Sequence, residues 1–269
     1  MQFANINGVT LHFQVIGAAE GKPTIVFANA LGTDFRIWRD VIVRLVGDFA
    51  LVMYDKRGHG LSDVGEAPYA MDDHVGDLAG LLDHLSVSQA IVCGLSVGGL
   101  IALGLAGSRP ELVRALVLCD TAPRIGSEAV WNERIETVQT GGIAALAEPV
   151  LERWFTPEFR HPANAELAGY RNMLVRQPPA GYAGTCAAIR DADFTDIARA
   201  LTVPAACVVG DQDGSTPPEV VGEMAKLIPD ARYDVLTDCG HIPCVERPEA
   251  LANIVRAFAR EVAGPPPGT

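Results

Sequence analysis

Between Ala90 and Gly107 the chain passes from an apolar run, Ala90-Ile91-Val92-Cys93, through Gly94-Leu95-Ser96-Val97-Gly98 into a stretch rich in Leu, Ala and Gly. A strand that reverses sharply into a helix needs small residues two positions either side of its apex. A side chain there would strike the chain doubling back on itself. The apex residue is pushed out of the sheet, and the first amides of the helix face whatever it contacts. With serine at the apex the arrangement is a nucleophile elbow. Such a turn stores backbone strain that the surrounding packing must hold. The pentapeptide alone could be an incidental glycine-rich turn, but the β-compatible run before it and the helical run after it favour Ser96 as a nucleophile.

A chain of 269 residues with 49% hydrophobic content can bury a sizeable core, and large α/β folds of this size often form one unit. The net charge of −12 disfavours nucleic acid or an anionic membrane as partner. The stretch from Ser86 to Ser108 carries no charge and is long enough to raise the question of a membrane span. Its five interior glycines, with Gln89 and Ser96, argue for strand, turn and helix instead. Met1 to Asn5 shows no basic segment leading into an apolar one, so no export signal is expected and the cytoplasm is the expected compartment. The six cysteines form no pair of C-x-x-C spacings and are expected to be free thiols, three of them (Cys93, Cys119, Cys207) at the ends of apolar runs.

Strands are expected at Leu11–Val15, Thr24–Ala28, Ala50–Tyr54, Ala90–Cys93, Ala115–Leu118, Ala205–Val209 and Tyr233–Leu236. Helices are expected between them at Phe35–Leu45, Asp72–Leu85 and Thr216–Leu227, the last opening with Thr216 as cap, Pro217 in the first turn and Glu219 as capping-box acid. The final helix carries Leu251, Ile254, Val255, Phe258 and Val262 on one face. Strand–helix alternation of this kind predicts an α/β fold, a mostly parallel sheet covered on both faces. From 124 to 193 the pattern is helical throughout, broken by Gly141-Gly142, Pro157, Pro162 and Pro178-Pro179. That segment reads as a helical lid over the strand ends. It divides the chain into a core of 1–123 plus 194–263, the lid, and a proline-rich tail of 264–269 expected to be disordered.

A serine needs a base to take its proton and a third group to orient that base. The order expected is serine, acid, histidine. Two histidines follow Ser96: His161, flanked by Arg160 and Pro162 within the lid segment, and His241, on the loop after a late strand. His241 is the expected base. The acid belongs on the loop after the preceding strand, where Gly210-Asp211-Gln212-Asp213 offers two carboxylates; Asp213 is preferred and Asp211 held in reserve. Asp238 lies close to His241 in sequence but reads as a turn residue. The backbone N–H groups of Val97 and of Leu31, in the loop Asn29-Ala30-Leu31-Gly32, are the expected oxyanion donors. The segment Asp55-Lys56-Arg57-Gly58-His59-Gly60-Leu61-Ser62 reads as a structured turn bracing that loop.

Together the elbow, Asp55 to Ser62, Gly210 to Asp213 and Gly240-His241 resemble the α/β-hydrolase superfamily over nearly the whole chain. Asn29-Ala30-Leu31-Gly32-Thr33 with Trp38, Arg153-Trp154-Phe155, and Gly181 through Asp193 resemble the 3-oxoadipate enol-lactonases of the β-ketoadipate pathway of aromatic catabolism. The lactonases more often carry Asn-Ser where this chain has Asn29-Ala30, and some superfamily members place the acid at the position of Asp120. The resemblance implies an α/β-hydrolase fold and a serine hydrolase opening a small anionic lactone through an acyl-enzyme, with no cofactor or metal. A carboxylesterase, a cofactor-free haloperoxidase-like hydrolase or a non-catalytic ligand-binding relative would share the same residues. The substrate's acetate arm calls for a cation near the lid: Arg134 is the first candidate and Arg190 the second, with Trp131 or Trp154 as the apolar wall. The sequence leaves the oligomeric state open.

Overall fold

The computed structural model describes residues 1–17 and 21–264. Its centre is an eight-stranded sheet: β1 (Gln2–Ile6), β2 (Val9–Ile16), β3 (Thr24–Ala28), β4 (Ala50–Tyr54), β5 (Ala90–Leu95), β6 (Val113–Cys119), β7 (Ala205–Gly210) and β8 (Arg232–Leu236). The order across the sheet is β1-β2-β4-β3-β5-β6-β7-β8. β2 pairs antiparallel with β1 and β4, and every pair from β4 to β8 is parallel. Strands β3, β4, β5 and β7 are buried along their whole length, which is why they read as unbroken apolar runs rather than alternating ones.

The helices are α1 (Arg39–Leu45), α2 (Met71–His84), α3 (Val97–Ser108), α4 (Glu128–Gly141), α5 (Ala147–Trp154), α6 (Ala165–Val175), α7 (Pro179–Asp191), α8 (Thr195–Arg199), α9 (Pro218–Leu227), α10 (Pro243–Glu246) and α11 (Pro248–Ala263). α3 is apolar on every side because it is packed on every side, with Val97 to Ala106 all buried. On α11 the expected face turns inward: Leu251, Val255 and Phe258 are buried, and Ile254 and Val262 are partly covered.

Three local expectations change. β1 was not anticipated, because Gln2–Ile6 is an edge strand whose side chains are largely exposed and carry little apolar signal. Phe35–Leu45 is a 3₁₀ turn (Phe35–Trp38) running into α1, started by Asp34, whose carboxylate accepts from the Arg36 N–H at 3.0 Å. The helix expected from Thr216 begins at Pro218, because the Thr216 hydroxyl is bound to Asp213 at 2.8 Å and is not free to cap. The tail from 265 to 269 lies outside the described residues.

Between β6 and β7 the chain forms α4, a 3₁₀ turn at Ile143–Leu146, α5, α6 and α7, the helical insertion. It is tied firmly to the loops beneath. His241 N–H donates to the Trp154 carbonyl at 2.8 Å and Gly214 N–H to the Arg153 carbonyl at 3.3 Å. Glu246 accepts from the Thr156 N–H and hydroxyl with one oxygen and from the Gly240 N–H with the other. No helix among the described residues is long and apolar enough to cross a membrane. All six cysteines are free and buried.

Candidate active site

Ser96 follows β5 directly and begins α3 at φ 57° and ψ −116°, a backbone state that a non-glycine residue rarely adopts. The flanking glycines make it possible. A Cβ on Gly94 would meet the backbone of Gly98, and one on Gly98 would meet the carbonyl of Ala28. The strained turn is pinned from β6: Ser96 N–H donates to the Cys119 carbonyl at 3.0 Å, and the Thr121 hydroxyl donates to the Ser96 carbonyl at 2.7 Å. Thr121 is a support that sequence reasoning missed, since nothing local marks it.

Asp213 lies on the loop after β7 and His241 on the loop after β8, so serine, acid and histidine all sit at the carboxyl ends of parallel strands. His241 Nδ1 and Asp213 Oδ2 are 2.9 Å apart, both side chains almost wholly buried. Asp213 also accepts from Ser215 N–H (2.7 Å), Thr216 N–H (3.1 Å) and the Thr216 hydroxyl (2.8 Å). Burial alone would raise the Asp213 carboxyl. The His241 charge and hydrogen bond, with those from Ser215 and Thr216, outweigh it and hold the group below its ordinary range.

The other acids separate clearly. Asp211 accepts from Cys239 N–H and shapes the loop instead. Asp238 is exposed and turns with φ 51°. Asp120 is the one near neighbour, with a carboxylate oxygen within 4.8 Å of Asp213 and His241. One of its oxygens accepts from Gly210 N–H at 2.9 Å, and the other has no partner among the described residues. Burial first and the Asp213 charge second push its carboxyl well above the ordinary value, which favours the neutral acid at Asp120. These three residues have the ligand types for a cation. The acceptor positions of Asp213 are already taken by N–H and O–H donors, however, and of the three residues only Asp213 and His241 are hydrogen-bonded to each other.

Ser96, Leu31 and His241 line one cavity of about 120 Å³. The N–H groups of Leu31 and of Val97 make no hydrogen bond among the described residues. Trp131, Arg134, Arg153, Trp154 and Tyr182 close the far side. Trp131 and Arg134 share a face of α4, with the guanidinium carbon 5.0 Å from the indole centroid. Arg134 and Arg153 make no ion pair among the described residues, although most arginines of this chain do. Burial and the adjacent Arg134 charge both lower the Arg153 guanidinium.

Arg190 is a correction. It lies outside this cavity, on another groove, and its guanidinium is taken by Asp191 (2.7 and 2.8 Å) and Asn132 (2.8 Å). Arg153 is a second cation lining this cavity that sequence reasoning did not single out. It stands directly before Trp154 at the end of α5, which is tied by hydrogen bonds to the Asp213 and His241 loops. His161 is exposed on a turn. His59 is buried beneath the loop after β3, where its Nε2 accepts from Gly32 N–H at 3.0 Å. A larger groove of about 690 Å³ between Asp34–Asp40 and 166–177 holds none of the candidate residues.

A strained serine at a strand–helix turn, with an Asp–His pair on the loops after β7 and β8, defines the class as a serine-hydrolase-type carboxylic ester hydrolase. The chain belongs to the alpha/beta hydrolase family, whose model matches residues 25–254. It is 32% identical over 252 residues to 3-oxoadipate enol-lactonase 2 of Acinetobacter baylyi, covering 94% of each chain, and 31% identical to 3-oxoadipate enol-lactonase 1 of that organism, covering 97% of each. Among solved structures it is similar to the enol-lactonase from Burkholderia xenovorans, with TM-score 0.92 and 38% identity over 96% of this chain and 99% of that one.

Proposed function

We propose that this chain opens the ring of 3-oxoadipate enol-lactone to give 3-oxoadipate, with Ser96 as nucleophile, His241 as base and Asp213 as its partner. One observation carries the reading: the Ser96–His241 cavity is small and faces two guanidiniums that lack carboxylate partners. A cavity of about 120 Å³ is far below the ~300–1,000 Å³ of drug-sized sites, so it favours a compact ring over a long acyl chain. Two arginines without carboxylate partners favour a substrate that carries a carboxylate. Similarity to lactonases named for this substrate points the same way.

Ser96 Oγ attacks the lactone carbonyl as His241 Nε2 takes its proton, and the Asp213 carboxylate stabilises the resulting imidazolium. The carbonyl oxygen gains its negative charge against the Leu31 and Val97 N–H groups. The ring C–O bond then breaks, and His241 returns the proton to the departing enol oxygen. The leaving group stays attached to the acyl chain, so a ring-opened acyl-enzyme forms with nothing released. Water, deprotonated by His241, attacks the ester carbon and frees Ser96. The enol becomes a ketone, which makes the opening hard to reverse. Arg134 holds the acetate carboxylate, with Trp131 and Trp154 as walls. The helical segment 124–193 acts as the lid over the core formed by 1–123 and 194–263. The buried free thiols suit a reducing compartment such as the cytoplasm.

Steady-state rates on the enol-lactone, followed by loss of its ultraviolet absorbance, and on p-nitrophenyl acetate test this directly. The lactone is expected to have the higher kcat/KM. A preference for the simple ester would make the chain a general carboxylesterase.

A further inference from the structure

Lys56 follows β4 and is 1% exposed, yet it makes no ion pair among the described residues. Its Nζ donates to the Ala30 carbonyl at 2.7 Å and reaches the Asn29 carbonyl at 3.4 Å. Burying an amine is costly, and a methionine, which matches the lysine stem as far as Cε, would fill most of the space without that cost. Burial lowers the ammonium to about 7 against the upward pull of Asp55 and Asp34. Deprotonation still leaves two N–H donors, enough for both carbonyls.

The Ala30 carbonyl and the Leu31 N–H are the two ends of one planar trans peptide, so they point in opposite directions. Whatever holds the oxygen beneath the loop turns the N–H into the cavity on the other side. The neighbouring peptide is held as well, because Gly32 N–H is bound to His59 Nε2 at 3.0 Å. Thr33 adds its N–H (3.3 Å) and hydroxyl (2.9 Å) to the same Ala30 oxygen. These donors come from within the same turn, three residues on, whereas Lys56 reaches across from the segment after β4. A donor on the carbonyl also polarises the amide and makes its N–H a stronger donor.

We infer that Lys56 is a positioning residue of the oxyanion site: by bonding the Ala30 carbonyl from below, it locks the Ala30–Leu31 peptide with its N–H turned towards the substrate's acyl oxygen. The inference rests on Leu31 as an oxyanion donor and not on which ester or lactone is opened. Without Lys56 the Ala30 carbonyl keeps only the two Thr33 donors, and the peptide can swing more readily about its flanking single bonds towards presenting its carbonyl, which repels the oxyanion.

The test compares wild type with Lys56→Met and Lys56→Gln, using p-nitrophenyl acetate as substrate and benzeneboronic acid as a tetrahedral adduct former on serine. Complete loss of one oxyanion donor typically costs about 10²–10³ in turnover, so loss of its anchor should cost Lys56→Met ~10–100-fold in kcat. KM should stay within about twofold, and boronate affinity should fall by the same factor as kcat/KM. Lys56→Gln keeps a donor on a shorter stem and should fall between the two; it carries the comparison if the methionine variant does not fold. Unchanged kcat and boronate affinity in a folded variant would overturn the inference. So would a rise in KM that accounts for the whole loss. Fluorophosphonate labelling of wild type separates the two readings: absence of label at Ser96 refutes the nucleophile, whereas labelled wild type with an undiminished Lys56→Met refutes only the anchor.

Discussion

Replacing Asp213 by asparagine keeps the shape of the acid and changes only what it offers His241. The asparagine carbonyl can still accept from Ser215 and Thr216 N–H, which bind Oδ1 at 2.7 and 3.1 Å. Its NH₂ then takes the place of Oδ2, 2.9 Å from His241 Nδ1. Nδ1 must become an acceptor, and the ring proton moves to Nε2, the atom that has to receive the Ser96 proton. The imidazolium also loses its counter-charge, worth ~4 kcal/mol for unit charges 4 Å apart at an effective dielectric near 20. At 1.36 kcal/mol per decade that is about 10³ in kcat, and the wrong tautomer adds to it. Asp120 does not rescue the variant, because burial, the larger cause of its raised pKa, persists when the Asp213 charge is gone. Asp120→Asn retains the Gly210 contact and replaces a carboxyl that burial pushes towards its neutral form, so it should cost less than about threefold. The assay is initial rate on the enol-lactone and on p-nitrophenyl acetate, with circular dichroism confirming the fold of each variant. A larger loss for Asp120→Asn than for Asp213→Asn, or an Asp213→Asn enzyme within tenfold of wild type, would refute the assignment of the acid.

Arg134→Ala and Arg153→Ala should each raise KM for the carboxylate-bearing lactone ~10–100-fold, the value of one charge-assisted hydrogen bond, while changing kcat/KM on p-nitrophenyl acetate by less than about threefold. Arg190→Ala should alter neither, and a KM effect there would mean that the carboxylate sits elsewhere. Lys56 also predicts a pH dependence of stability. The folded protein releases its proton near pH 7 while the unfolded chain keeps it to about 10.5, so unfolding takes up a proton across that window and stability rises with pH. Urea unfolding between pH 7 and 9.5 should show Lys56→Met flatter than wild type by up to ~1.4 kcal/mol per pH unit, and parallel curves would contradict a buried amine of lowered pKa. Gly98→Ala should lower thermal stability and expression, because its methyl group would collide with the Ala28 carbonyl; a fully active, equally stable variant would deny the close approach at the elbow.

The parts of this protein legible in its sequence are those in which a local pattern has one structural solution. Buried parallel strands such as Thr24–Ala28 and Ala50–Tyr54 read as continuous apolar runs because both faces are covered, and their boundaries appear in the structure unchanged. The elbow is legible because only glycine fits at 94 and 98. Gln2–Ile6 was silent because an edge strand needs no apolar face. Thr216 misled because a hydroxyl before a proline reads as a cap until a carboxylate nearby claims it. Periodicity could put Trp131 and Arg134 on one face of α4, but that Arg153 lines the Ser96 cavity and Arg190 does not follows from the packing of α5 against two loops far away in sequence. The segment from Asp55 to Ser62 reads as a turn bracing the loop after β3, but that the buried Lys56 is the side chain reaching the Ala30 carbonyl is a property of the tertiary fold alone.

A lactone opened by a serine loses no fragment, so its covalent intermediate carries the mass of the entire substrate. Rapid mixing with the enol-lactone, acid quench on the millisecond scale and mass spectrometry of the peptide containing residue 96 would read that intermediate directly. Ser96 should carry an adduct equal in mass to the intact lactone, decaying at the turnover rate and absent from Ser96→Ala. Undiminished lactone hydrolysis by Ser96→Ala, or an adduct on any other residue, would contradict the account at its root.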